Sequence, residues 1–127
     1  MKALVARQFS FDAAHFLPNY NGKCRNMHGH RWTIEVGIEG DVGLDGMVVD
    51  FGDLKSMVQP ILDNFDHGLI NTIVENPTAE NIASYVWNWI VNVRASSYNS
   101  ERINLLEPTL KHVRVWETPD SYAEVRE

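Results

Sequence analysis

His28 and His30 bracket a glycine in the run Cys24-Arg25-Asn26-Met27-His28-Gly29-His30, a spacing that suits a metal ion. In extended backbone, side chains at i and i+2 leave the same face of a strand. Two imidazoles so placed can chelate one ion, and Gly29 adds no bulk between them. His15, on an earlier extended segment, offers a third imidazole. If the two segments pair as a hairpin, His15 lies beside the start of the second strand, because both sites flank the link from Phe16 to Met27. Three neutral histidines with an open fourth position describe a catalytic zinc centre rather than a closed structural one. Imidazole also suits iron, copper and nickel, so zinc is the first choice among several metals. The competing reading makes His28 and His30 polar loop residues and His15 a strand residue facing solvent.

Cys24 precedes this pair by one short turn. A thiolate beside a metal and other cations has a lowered pKa and can act as base or nucleophile. It can equally be a fourth ligand that closes the site, or a small core hydrophobe, although Lys23 and Arg25 on either side argue against burial. Asp66-His67 places a carboxylate next to an imidazole, an arrangement that can fix a tautomer and raise basicity. Adjacent residues seldom face each other, so helix-end roles for both stay open. Glu117 is a carboxylate able to accept two hydrogen bonds from a guanidine-like ligand edge. Glu80 reads most simply as a first-turn acid that suits a helix dipole. His112 alternates with apolar neighbours and is assigned no role, and the four tryptophans read as packing residues.

The elements that must carry these residues are legible from periodicity. Leu4 to Phe16 reads as a strand, with Phe9, Phe11, Ala13 and His15 on one face. Arg31 to Glu39 is a second strand, in which Trp32, Ile34, Val36 and Ile38 alternate with polar residues and Gly37. Asp50 suits an N-cap for a first helix carrying Phe51, Leu54, Val58, Ile61, Leu62 and Phe65, with a kink expected at Pro60. Asn76-Pro77-Thr78 opens a second helix, capped by Thr78, whose apolar stripe is Ile82, Val86, Trp89, Ile90 and Val93. Ala95 to Pro108 reads as a loop from which Ile103, Leu105 and Leu106 dock on the body. Leu110 to Glu117 and Ser121 to Arg126 read as two further strands. The order β-β-α-α-β-β gives an α+β class: an antiparallel sheet with two helices on one face. A sheet this small leaves edges to cover, and oligomerisation covers them.

One domain accommodates all 127 residues. Apolar residues at 44% are enough for a core, and a net charge of −6 argues against a nucleic-acid partner. A single cysteine forms no internal disulfide, which fits a reducing, cytoplasmic setting. No stretch approaches the roughly 18 apolar residues of a membrane span.

Five blocks in order resemble one family. They are Phe11-Asp12-Ala13-Ala14-His15; Cys24 followed by His28-Gly29-His30; Phe65-Asp66-His67-Gly68-Leu69-Ile70-Asn71; Asn76-Pro77-Thr78-Ala79-Glu80-Asn81; and Trp116-Glu117-Thr118. Together they resemble the 6-pyruvoyltetrahydropterin synthase family, and within it the bacterial 6-carboxytetrahydropterin synthases. The resemblance implies the tunnelling fold, whose subunits join into a trimeric barrel, with two trimers stacked as a hexamer. It implies one zinc per subunit on His15, His28 and His30, Cys24 as proton-abstracting base, and Asp66 and His67 as its relay. It places Glu117 on the pterin ring with Thr78 and Glu80 near it, partly across subunit interfaces. The implied reaction converts 7,8-dihydroneopterin triphosphate to 6-carboxytetrahydropterin, acetaldehyde and triphosphate, feeding 7-deazaguanine and queuosine synthesis. Lys23 or Arg25 would meet the triphosphate, or be ordinary surface charge.

Two departures stand out: Pro119-Asp120-Ser121 in place of a small polar turn, and a long 95–108 segment. Animal 6-pyruvoyltetrahydropterin synthases, which eliminate triphosphate only, usually have a longer Cys-to-His interval. Aldolase-like relatives tend to carry Glu near the Cys position, where this chain has Arg25, Asn26 and Met27. A different class altogether is a non-catalytic binding module stabilised by zinc, with Cys24 as fourth ligand.

Overall fold

The computed structural model describes residues 1–97 and 108–127. Its elements are β1 (Lys2–His15), β2 (His28–Asp41), α1 (Phe51–Phe65), β3 (Gly68–Leu69), α2 (Ala79–Ser97), β4 (Thr109–Thr118) and β5 (Ser121–Arg126). They form one five-stranded sheet in the order β3-β1-β2-β4-β5. The expected β-β-α-α-β-β succession holds, with one addition and two boundary corrections.

The addition is β3, which pairs parallel with Ala13 and Ala14 of β1. The sheet is therefore mixed at one edge rather than wholly antiparallel. Two residues are too few for alternation to reveal a strand; β3 exists because the preceding turn delivers it. The first correction concerns β2, which begins at His28 rather than Arg31, so the extended backbone expected at His28 and His30 is part of the strand itself. Pairing with β1 over its full length extends it. The second concerns α2, which runs through Ser97, three residues into the segment read as a loop. Ile103, Leu105 and Leu106 lie outside the described residues.

Alternation along the strands sorts the side chains. Phe9, Phe11, Ala13, Trp32, Ile34, Val36, Ile38, Val113 and Val115 face the helices and are buried. Leu54, Val58, Ile61 and Phe65 of α1 and Ile82, Ala83, Val86 and Ile90 of α2 close the core over them. Each large apolar side chain so buried contributes about 1.5–3 kcal/mol. Asp50 caps α1 by accepting from the Gly52 N–H at 2.6 Å. Pro60 lies inside α1, which stays one element through Phe65. Thr78 caps α2, its hydroxyl accepting from the Asn81 N–H at 3.1 Å.

The other sheet face is polar. His112 stands across from Gly37 in the same register that pairs Thr33 with Trp116, and a bulge in β4 follows, between the partners of Gly37 and Ile38. The imidazole occupies the space a Cβ at position 37 would need. It meets Glu35 at 2.8 Å, and Arg114 joins Glu35 to Glu124. His112 therefore belongs to a half-buried charge network, a role that alternation alone did not assign.

Candidate metal centre and active site

The β1–β2 hairpin pairs His15 directly with His28, and its register brings His30 alongside. The three rings cluster with centroids 4.5, 5.3 and 4.8 Å apart. Trp32 is fully buried beneath them, its indole N–H donating to the Ala13 carbonyl at 3.1 Å. The residues that define the core face of β1 and β2 thus also form the floor of the site.

Two backbone carbonyls settle which ring nitrogens can bind a cation. His15 Nδ1 is 2.8 Å from the Pro77 carbonyl, and His28 Nδ1 is 2.7 Å from the Asn26 carbonyl. A carbonyl only accepts, so each Nδ1 carries the proton and each Nε2 presents a lone pair. Those two Nε2 atoms face each other at 2.9 Å. His30 Nε2 is buried with no hydrogen-bond partner among the described residues. Glu117 Oε1 lies 3.1 Å from His15 Nε2 and 3.6 Å from His30 Nε2. Burial depresses the pKa of His15 and of His30; the Pro77 carbonyl and Glu117 oppose it at His15, and Glu117 opposes it at His30, without overcoming it. The Nε2 atoms of His15 and His28 therefore converge with His30 Nε2 and Glu117 Oε1, a grouping that a divalent cation would satisfy.

The donor set fits zinc. Nitrogen and carboxylate oxygen are its usual ligands, and ligand atoms about 2.0–2.1 Å from zinc in a tetrahedron stand about 3.3 Å apart. The four candidate atoms all lie within 4.8 Å of one another. The ring N–H held by a carbonyl is the ordinary outer support of a metal-binding histidine. Cys24 stands outside this group; it lies half-buried in a 3-10 turn, Lys23–Arg25. Among the described residues the fourth donor within reach is Glu117, not Cys24, which leaves a closed site completed by Cys24 without support.

Asp66 and His67 form a second cluster with Asp12. Contrary to the expectation for neighbours in sequence, their side chains do meet: Asp66 Oδ2 is 2.9 Å from His67 Nδ1. The reason is backbone. His67 has φ of 58°, the left-handed region that costs a non-glycine residue energy. Asp12 holds that turn, its N–H donating to Asp66 Oδ1 at 3.0 Å and its carbonyl accepting from the His67 N–H at 2.6 Å. The Asp12 N–H is also the main cause holding the Asp66 carboxyl below its ordinary range, with His67 adding to it.

Two depressions adjoin these clusters. One, of about 410 Å³, is lined by Gln8, His30, Arg31, Thr33, Trp116 and Glu117, among others. The second, about 480 Å³, runs past Asp12, Gly29, His30, Arg31 and His67. Thr78 is engaged as a helix cap, and Glu80 is exposed in the first turn of α2; neither lines either depression. Sequence reading missed Pro77 and Asn26 as ring anchors, Asp12 as the clamp on Asp66-His67, and Arg31 as the cation common to both depressions. Of these only Pro77 had a signal, the turn ahead of α2. Asn71 was also missed: it brackets the residue after His15, accepting from the Phe16 N–H at 3.0 Å and donating to its carbonyl at 2.9 Å.

The 6-pyruvoyl tetrahydropterin synthase family model matches residues 4–127. The 6-carboxy-5,6,7,8-tetrahydropterin synthase of Haemophilus influenzae is 34% identical over 150 residues, covering 97% of this chain and 98% of the relative. A protein of Pyrococcus furiosus named dihydroneopterin monophosphate aldolase is 36% identical over 120 residues, covering 92% and 91%. Among solved structures, the 6-pyruvoyl tetrahydropterin synthase of Caenorhabditis elegans superposes with a TM-score of 0.80 at 28% identity, covering 100% of this chain and 96% of that one. Fold, residue blocks and the histidine cluster agree: the chain belongs to the 6-pyruvoyl tetrahydropterin synthase family.

Proposed function

We propose that this chain is a zinc-dependent 6-carboxytetrahydropterin synthase. Its substrate is 7,8-dihydroneopterin triphosphate, and its products are 6-carboxy-5,6,7,8-tetrahydropterin, acetaldehyde and triphosphate, in the cytoplasmic route to 7-deazaguanines and queuosine. The observation that carries the reading is the convergence of ring nitrogens from His15, His28 and His30 beside an open depression. The relatives named for this activity support the choice of reaction.

His15, His28 and His30 hold the ion through Nε2. When bound, zinc supplies Lewis acidity that makes the substrate's side-chain hydroxyls and adjacent C–H groups easier to deprotonate. Cys24 takes the proton as general base. The Asp66–His67 pair is its relay: Asp66, ionised, orients the ring through Nδ1, leaving Nε2 to exchange the proton. Within one chain Cys24 belongs to neither cluster, so a neighbouring subunit brings thiol and relay together. Glu117 accepts from the guanidine-like edge of the pterin, and Thr78 and Glu80 border the substrate across the interface. Arg31 takes the phosphates in preference to Lys23 or Arg25, because it is the cation lining both depressions. The assembly is a hexamer of two stacked trimers; the β5 edge and the exposed Leu4, Met47 and Phe51 supply surface for it.

The Pyrococcus furiosus relative favours a second reading, aldol cleavage of a dihydroneopterin phosphate. Mass spectrometry of the products from dihydroneopterin triphosphate, with zinc measured on the same sample, separates the possibilities. Acetaldehyde with the carboxy product is expected. A pyruvoyl product, or a hydroxymethyl pterin with glycolaldehyde phosphates, overturns the proposal in favour of a related enzyme. Zinc without turnover points to a binding module.

A further inference from the structure

We infer that Glu117 is a fourth metal ligand when no substrate is bound, and that the pterin ring draws it off the metal, so that one carboxylate both closes the resting centre and opens it. The distances of its Oε1 to His15 Nε2 and His30 Nε2, 3.1 and 3.6 Å, straddle the spacing expected between two ligands of one tetrahedral zinc, about 3.3 Å. A carboxylate oxygen and a lone-pair nitrogen repel at that range unless a proton or cation lies between them. His15 Nδ1 is held by the Pro77 carbonyl, which aims Nε2 at Glu117 and the other two imidazoles.

The same side chain opens onto the depression of about 410 Å³, and a third of its surface is exposed. Glu117 therefore stands between the metal group and the space for a ligand. Trp116 and Thr118, its neighbours on β4, line that space too. Pairing of β4 with β2 stops at Thr33 and Trp116, leaving the stretch of β2 that carries His28 and His30 without β4 as a neighbour. The carboxylate thus lies past the last pair of the β2–β4 ladder, at the register shift of the β4–β5 hairpin between Trp116 and Thr118.

Resting ligation stands on these distances alone. The exchange rests also on the pterin reading proposed above: a ring edge that takes both carboxylate oxygens leaves the metal with a vacant position for the substrate's hydroxyls. By linkage, a pterin lacking those hydroxyls must weaken metal binding, and the metal must weaken binding of that pterin by the same factor.

Three measurements test this on the full chain. Zinc affinity, by competition with a chromophoric chelator, should fall at least tenfold in Glu117→Gln. Saturating 7,8-dihydropterin, which has no side chain, should lower zinc affinity severalfold in the parent and leave that of Glu117→Gln unchanged. The visible spectrum of the cobalt-substituted parent, which needs no mutation, should change when dihydropterin is added. Equal zinc affinity in parent and Glu117→Gln, with pterin binding weakened, overturns the ligand role while sparing the proposed function. Weaker zinc binding without any pterin coupling, or an unmoved cobalt spectrum, overturns the exchange. Failure of the parent to bind dihydropterin at all defeats the exchange and the proposed function together, and the zinc comparison then still decides the ligation.

Discussion

Asn71→Ala should weaken zinc binding although Asn71 touches no metal ligand. Its carboxamide makes a two-point clamp on the backbone of Phe16, the residue after His15. Both bonds are partly buried, so truncation leaves an N–H and a carbonyl of the main chain short of a partner. At about 1–1.5 kcal/mol for each, the loss is about 2–3 kcal/mol of folding stability. Part of it falls on the metal. The clamp lies where β1 ends, and the His15 ring must keep its Nδ1 on Pro77 and its Nε2 beside His28. Loss of a partner bonded directly to a ligating ring costs ten- to a hundredfold in metal affinity, and the clamp, one residue removed from the ring, is assigned the bottom of that range. Asn71→Asp separates the two bonds, since it keeps the acceptor for the Phe16 N–H but turns the donor into a second acceptor facing the carbonyl. Urea denaturation of metal-free protein reads the stability term, and chelator competition reads zinc. The expected result is destabilisation in both variants and zinc binding weakened at least tenfold in Asn71→Ala. Parental zinc affinity in an Asn71→Ala protein that is destabilised as calculated would refute the link from clamp to His15.

Three further outcomes follow from the same geometry. Metal-free protein should lose stability as pH falls below about 6.5, the unperturbed histidine value. Burial depresses the folded pKa of His15 and His30, so the unfolded chain binds more protons in that window and stability rises with pH through it; thermal melts of chelator-treated protein from pH 5 to 8 check the sign, and a rise in melting temperature on acidification would contradict it. His67→Gly should raise stability by about 1 kcal/mol by relieving the positive φ, while abolishing turnover; denaturant melts and activity on one sample test the trade, and a less stable glycine variant would argue against backbone strain. Arg31→Gln should raise KM for the triphosphate substrate about tenfold or more, the loss of a charge-assisted phosphate contact, with zinc content unchanged; the same KM as the parent would remove Arg31 from the phosphate site.

The cluster of three histidines was legible because its geometry is local. His28 and His30 share a strand face by the period of two, and a hairpin brings His15 to them with a register that the apolar faces of Phe11, Ala13 and Trp32 enforce. Helices α1 and α2 were legible for a similar reason, with caps at Asp50 and Thr78 that sequence and structure share. What escaped is what depends on main-chain atoms or on one turn's conformation. Every residue has a carbonyl, so nothing marks Pro77, 62 positions from His15, as the one that receives its ring. The Asp66–His67 contact needed a left-handed residue that is neither glycine nor asparagine, and β3 followed from that turn rather than from any pattern in Gly68-Leu69. His112 fits over Gly37 because that position has no Cβ, and it meets Glu35 from the neighbouring strand; alternation assigns a face but not a cross-strand partner. Glu117 belongs with these cases: its residue type suits a metal and a pterin equally, and the competition proposed between the two roles rests on the tertiary packing that sets its oxygen 3.1 Å from His15 Nε2.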